Sequence, residues 1–191
     1  MKRQAIQAIK ALYGNLSEAC EEDFIQATHL TELEKWTTLV REGQYTDAIY
    51  FIFSGAAKAF YLKDGKCITD WFAFENDFIC SLDSFFNSGP SACYVQLLEP
   101  SVLLSFPEEA MQTLFDKHHD FERLGRLVVT KTMLQLQQRV VSLQFETACQ
   151  RYKNLLKIYP NILHRVPLGD IASYLGMTQE TLSRIRAEKK W

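Results

Sequence analysis

The sequence has no C-x-x-C pair: its five cysteines, Cys20, Cys67, Cys80, Cys93 and Cys149, are scattered and odd in number. This argues against a disulfide scaffold, a zinc knuckle, a thioredoxin-type site or a thiolate-held iron–sulfur centre, and the thiols read as separate and reduced. Long apolar runs are missing too, none approaching the ~18–20 residues of a membrane helix. The basic start at Lys2 and Arg3 is followed by Lys10, Glu18, Glu21 and Glu22, which break any signal-peptide core, so a soluble, cytoplasmic chain without membrane contact is expected. Histidine is scarce: His29, His118, His119 and His164, with none between residues 39 and 106. G-x-S-x-G, P-loop and H-E-x-x-H signatures are absent, so no catalytic residue, metal site or enzymatic activity is expected. No charge sign dominates, with 21 basic and 23 acidic residues for a net −2. What remains is a 191-residue chain, 47% hydrophobic and 13% aromatic, enough for one domain or two small ones with a real core.

Residues 1–36 read as helical, with Ile6, Ile9, Leu12 and Tyr13 at helical spacing and Leu16, Phe24, Leu30 and Leu33 continuing more loosely. Ser17, followed by Glu18, Glu21 and Glu22, reads as a helix start, because a hydroxyl cap and early negative charge satisfy free N–H groups. From Thr37 to Phe106 short β-branched and aromatic runs alternate with turns: 48–53, 57–62, 68–74 and 102–106. Asp64-Gly65 between two such runs signals a tight hairpin, which needs positive φ. Many short strands at this spacing predict a small antiparallel barrel or roll. The barrel topology is shared with metal-binding cupin enzymes, but without a histidine between residues 39 and 106 their usual site cannot be assembled.

Pro107-Glu108-Glu109 opens a short helix, and a long one runs from about His118 to Phe145. Leu127, Leu134 and Val141 are spaced by sevens, as are Leu124, Lys131, Gln138 and Phe145, a seam with polar interruptions. A helix this long exceeds what a small barrel covers, so Leu124, Leu127, Leu134, Gln138, Val141 and Phe145 are expected at a parallel dimer interface. The other reading is a helix lying on the barrel along one apolar stripe. Thr147 and Gln150 form a capping box that starts a helix reaching about Ile158 and marks a hinge.

Residues 168–190 predict two helices around the turn Gly176-Met177-Thr178. Ala172 is small where the helices cross, Gly176 can turn left-handed, and Thr178 can cap the second helix. Ile171, Leu175, Met177, Leu182 and Ile185 would form their shared core. This is a helix-turn-helix pattern, whose second helix enters the DNA major groove. Residues 165–191 carry five basic and three acidic residues, net +2, whereas residues 1–164 carry 16 and 20, net −4. Gln179, Glu180 and Arg184 are candidate base readers; Thr178, Thr181, Ser183, Arg186, Lys189 and Lys190 are candidate phosphate contacts.

The roll segment Glu42-Gly43 … Ala48-Ile49-Tyr50-Phe51-Ile52-Phe53-Ser54-Gly55, then Asn76-Asp77-Phe78-Ile79, then Gln179-Glu180-Thr181-Leu182-Ser183-Arg184 together resemble the cyclic-AMP receptor protein/Fnr (Crp/Fnr) superfamily of transcription regulators. The resemblance covers nearly the whole chain and is nearest to a short subgroup. It implies an α+β fold: N-terminal helices with a cyclic-nucleotide-binding-type β-roll (a jelly roll) at 1–117, a dimerisation helix at 118–146, and a DNA-binding helix-turn-helix at 147–191. The implied partners are a second copy of the chain, double-stranded DNA with a pseudo-palindromic operator, and RNA polymerase as a further candidate. Two departures stand out. Cyclic-AMP binders of the superfamily carry Gly-Glu and Arg-Ser in the phosphate cassette, where this chain has Cys80-Ser81 and Pro90-Ser91. Without the arginine a buried phosphate lacks its partner. So no cofactor is expected, cyclic AMP is not the expected effector, and Phe78, Cys80, Ser81, Ser91, Ala92 and Lys131 are taken as an apolar or weakly polar pocket. With Trp191 closing the sequence, the superfamily's β-hairpin wing is also expected to be missing. A ligand-sensing or protein-interaction module with vestigial DNA binding is the alternative.

Overall fold

The computed structural model describes residues 1–188. Two N-terminal helices, α1 (Lys2–Tyr13) and α2 (Glu18–Ala27), lead into the roll. Its strands are β1 (His29–Leu33), β2 (Thr38–Val40), β3 (Ala48–Ser54), β4 (Ala57–Lys63), β5 (Lys66–Ala73), β6 (Phe78–Ile79), β7 (Tyr94–Leu97) and β8 (Ser101–Pro107), with the short helix α3 (Leu82–Asn87) before β7. The chain continues through α4 (Glu108–Lys117), α5 (His119–Phe145), α6 (Ala148–Ile158), α7 (Ile162–Arg165), α8 (Leu168–Tyr174) and α9 (Gln179–Ala187). The strands form two antiparallel four-stranded sheets, ordered β1-β8-β3-β6 and β2-β7-β4-β5.

The β3 run is apolar at every position because both faces of its sheet are covered. Ile49, Phe51 and Phe53 pack with the N-terminal helices, while Tyr50 and Ile52 pack between the sheets. β8 alternates likewise, Leu103 inward and Leu104 and Phe106 toward the helices. The β4–β5 hairpin turns at Asp64 (φ 50°) and Gly65 (φ 72°), with Lys63 facing Lys66, as the Asp-Gly signal predicts. Ser17 caps α2 through the Cys20 N–H, and Thr147 and Gln150 form the expected capping box on α6.

Two expectations need correction. The N-terminal helical region ends at Ala27, and Leu30 and Leu33 lie in β1, paired with β8. Their three-residue spacing mimics a helix; long-range pairing overrides it. On α5, Leu124 is 5% exposed and half-buried Leu127 packs beside it against the same core, so Leu124 is not free for a partner chain and Leu127 is only in part. The exposed apolar line on α5 is Val129, Met133, Val140 and Leu143, with half-buried Leu136 completing alternating spacings of four and three. Leu134, Val141 and Phe145 are exposed beside it, as is Gln138.

Candidate nucleic-acid interface and sensor roll

α8 and α9 form the helix-turn-helix. Ile171, Ala172, Leu175 and Leu182 are buried at their junction, and Ile185 and Met177 pack against them. Gly176 takes φ 64°, where a Cβ would also come within 3.2 Å of Leu143 on α5. The Met177 N–H donates to Ala172 O and the Gly176 N–H to Ser173 O, closing the end of α8. Two arginines outside the motif hold the same end. Arg139 of α5 donates to Tyr174 O at 2.8 Å and lies over the Tyr174 ring, while Arg151 of α6 donates to Leu175 O at 2.8 Å. They satisfy carbonyls that a helix end leaves free.

Thr178 caps α9 by accepting from the Thr181 N–H. Beyond it Gln179, Glu180, Ser183, Arg184 and Arg186 are exposed, and Thr181 is half-buried. Glu180 and Arg184 thus sit on the outer face opposite fully buried Leu182, while Gln179 is exposed in the first turn on the α8 side. The Glu180 carboxyl is held below the usual carboxylate range by its own backbone N–H and the Thr178 hydroxyl. It is therefore a charged acceptor at neutral pH. Lys189 and Lys190 lie outside the described residues.

The unit is docked on the roll through groups that sequence reading left out. The Lys58 ammonium of β4 bonds both oxygens of Asp170 on α8, and Ser173 accepts from the Thr69 N–H and donates to Cys67 O. Arg165 binds Glu75 bidentately at 2.7 and 2.8 Å, bonds Glu99, and donates to Gly55 O at 3.0 Å. Phe72 and Phe74 of the roll meet Tyr174 and Tyr159. Arg165 and Asp170, both counted in the charge of the tail, are therefore spent inside the molecule. A lysine in a run of small apolar residues was the one available signal: in Ala57-Lys58-Ala59, Lys58 alternates away from the roll interior.

The expected effector residues fall into two groups. Phe78 packs with Tyr13, Phe51 and Phe106, and Lys131 reaches Tyr13 Oη and Asp77 at 3.4 and 3.5 Å. Ser81 and Ser91 are buried elsewhere, near Cys93, with Cys80 half-buried and Ala92 exposed. Ser91 Oγ donates to Cys93 O, and Ser81 Oγ is buried facing the Cys93 thiol without a well-formed hydrogen bond. The charges acting on Cys93 are those of Asp70 and Asp83, both acidic. A cavity of about 560 Å³ between α4, α5 and the roll is lined by Phe78, Phe106, Phe115 and Phe121. Another of about 640 Å³ lies between α5, α6 and Trp71. Neither is lined by Cys80, Ser81 or Ser91.

A family model described as the cyclic nucleotide-binding domain matches residues 30–118. No curated protein matches the sequence. Among solved structures, FixK2 from Bradyrhizobium japonicum is similar at 17% identity and a TM-score of 0.71, over 84% of this chain and 83% of that one. The c-di-GMP-responsive global regulator CLP of Xanthomonas campestris is similar at 17% identity and 0.71, over 90% and 91%. The sensor domain of the transcriptional regulator DNR from Pseudomonas aeruginosa is similar at 21% and 0.58, over 76% and 97%. Residues 30–118 thus match a cyclic nucleotide-binding domain, and the chain as a whole shares the fold of these solved structures.

Proposed function

We propose that the protein is a DNA-binding transcription regulator that works as a two-fold dimer, with α9 as its reading helix and a roll whose effector is not cyclic AMP. The observation that carries this is the outer face of α9: a capped first turn and exposed Gln179, Glu180 and Arg184 on a helix anchored by buried Leu182. Arginine donates twice to guanine, glutamate accepts from cytosine N4, and glutamine pairs with adenine. CLP is described as linking signalling to gene expression and DNR as a transcriptional regulator, roles in keeping with this reading. The dimer rests on the apolar line from Val129 to Leu143, which a second copy would cover in coiled-coil fashion. The effector reading rests on Ser81, Ser91 and acidic Asp70 and Asp83, surroundings that oppose a cyclic phosphate.

Selection of binding sites from a random duplex pool tests the proposal. A pseudo-palindrome with half-sites about 34–36 Å apart is expected, because two symmetric reading helices meet successive turns of the groove. Recovery of no sequence, or of an asymmetric one, overturns it.

A further inference from the structure

Cys20 on α2, His118 capping α5 and Asp120 in the first turn of α5 bring one sulfur, one ring nitrogen and one carboxylate oxygen within 4.8 Å of one another. The three come from opposite ends of the roll, and none belongs to the nucleic-acid face or the cassette. We propose that they form a binding site for a divalent transition-metal ion, zinc by the character of the ligands, joining the N-terminal helices to the head of the long helix.

Thiolate, imidazole and carboxylate are the three side-chain types that zinc takes, and a three-ligand set leaves its fourth position to water. Bonds of about 2.0–2.3 Å place tetrahedral ligand atoms about 3.3–3.8 Å apart. The set therefore closes by a contraction of at most about 1.0–1.5 Å, within side-chain rotation. His118 is already held in place. Its Nε2 lies 2.7 Å from Asp23 Oδ2, and Asp23 is itself held by Lys117. A carboxylate on one ring nitrogen fixes the proton there and leaves Nδ1 with its lone pair, the usual outer support of a metal-bound histidine. Asp120 is oriented as well: Oδ2 accepts from the Ser17 N–H and Oδ1 from the Phe121 N–H, and the Cys20 thiol already faces the same carboxylate, so an ion would replace the thiol proton between them.

Cys20 is fully buried, and Asp120 and His118 open partly to solvent, so an ion enters from the carboxylate side. The step balances as Cys–SH plus hydrated M²⁺ giving Cys–S–M⁺, H⁺ and released water. The thiol proton passes to solvent through the Asp120 side, and no redox partner is needed. This site stands independently of DNA binding.

The test is titration of the full chain, freed of metal by a chelator, with Co²⁺. One equivalent is expected to bind, with a thiolate-to-cobalt charge-transfer band and the visible bands of four-coordinate cobalt, both bleached by Zn²⁺. Cys20→Ser should lose the charge-transfer band, and Asp23→Asn should keep it while weakening affinity about 10–100-fold. Circular dichroism melts confirm that each variant is folded. Should Cys20→Ser not fold, His118→Gln decides, because it leaves the buried thiol in place and removes one ligand: affinity reduced at least tenfold supports the site. A wild-type titration without the band, a band retained in Cys20→Ser, or unchanged affinity in His118→Gln overturns it.

Discussion

Lys58 and Asp170 stand 112 positions apart and meet as a bidentate ion pair, 2.8 and 2.9 Å from the ammonium to the two carboxylate oxygens, with side chains only 7% and 13% exposed. Removing one partner of such a pair strands a buried charge, at about 3–5 kcal/mol. Asp170→Ala should therefore lower the denaturant midpoint sharply and raise amide exchange in α8. Lys58→Met combined with Asp170→Leu should recover most of that loss, because an apolar pair of similar volume is often neutral. A double variant as unstable as Asp170→Ala would show that the pair does more than neutralise charge.

Gly55 turns between β3 and β4 at φ 109°, and a Cβ there would lie 2.1 Å from Ser101 Oγ. Its N–H donates to Glu75 and its carbonyl accepts from Arg165, so the tight turn also seats the C-terminal unit. Gly55→Ala is expected to cost about 2–4 kcal/mol from backbone strain and overpacking together. Ser101→Gly in the same chain should return only part of the overpacking share, because the Ser101 Cα, 2.9 Å from that Cβ, remains. Thermal melts of the two variants measure that part.

Much of this was legible in one dimension, and the exceptions have a common cause. The β3 run, the Asp64-Gly65 turn, the Thr147 capping box and the Thr178 cap depend on neighbours within a few residues, and each stands as read. β1 depends on pairing with β8, and its Leu30 and Leu33 carry a spacing that fits a helix equally well. α5 carries two apolar stripes, and periodicity cannot tell which one the roll takes; Leu124 went inward while Met133 stayed out. The grip of Arg165 on Glu75 and Glu99 joins residues remote in the chain, so as a sequence symbol it counted as one more basic residue of a DNA-facing tail.

The two stripes of α5 should respond differently to substitution. Leu124→Ala removes a buried side chain and is expected to cost about 2–5 kcal/mol with little effect on assembly. Met133→Asp places charge on the exposed line and should yield monomer by light scattering, with its far-ultraviolet spectrum unchanged. A Met133→Asp protein that remains dimeric would move the interface off this helix face.

Glu75 gives the docking of the C-terminal unit an acid limit. Burial alone would raise its carboxyl, but Arg165 and the Gly55 N–H outweigh that and leave it below the ordinary value near 4.5. A lowered folded value contributes stability that is present above the unfolded value and lost as pH falls through the folded one. The melting difference between wild type and Glu75→Gln should thus be constant near neutral pH and shrink below about pH 4.5. Asp77, whose carboxyl is raised by burial and in smaller part by the Glu75 charge, titrates in both proteins, and only its Glu75-dependent part enters the difference. A difference that does not change with pH would mean that Glu75 acts by shape alone.

Arg184 and Arg186 are both exposed on α9, and the proposed reading gives them different duties. Arg184 sits one turn beyond Glu180, on the same outer face, where it approaches Thr181 Oγ1 at 3.5 Å and its charge acts on the exposed Glu180 carboxylate. A guanidinium so lightly held can turn to a guanine edge without breaking a strong bond. Arg184→Ala should cost about 1–3 kcal/mol on the selected operator and relax the preference at one base pair in each half-site. Arg186 lies further along the helix, suited to a phosphate. Its replacement by alanine should weaken operator and unrelated duplex alike and lower the slope of log K against log salt by about one. Measuring both variants on both duplexes over a salt series checks the pair at once. Equal losses on operator and unrelated DNA for Arg184→Ala would remove it from base reading, because a phosphate contact carries no sequence information.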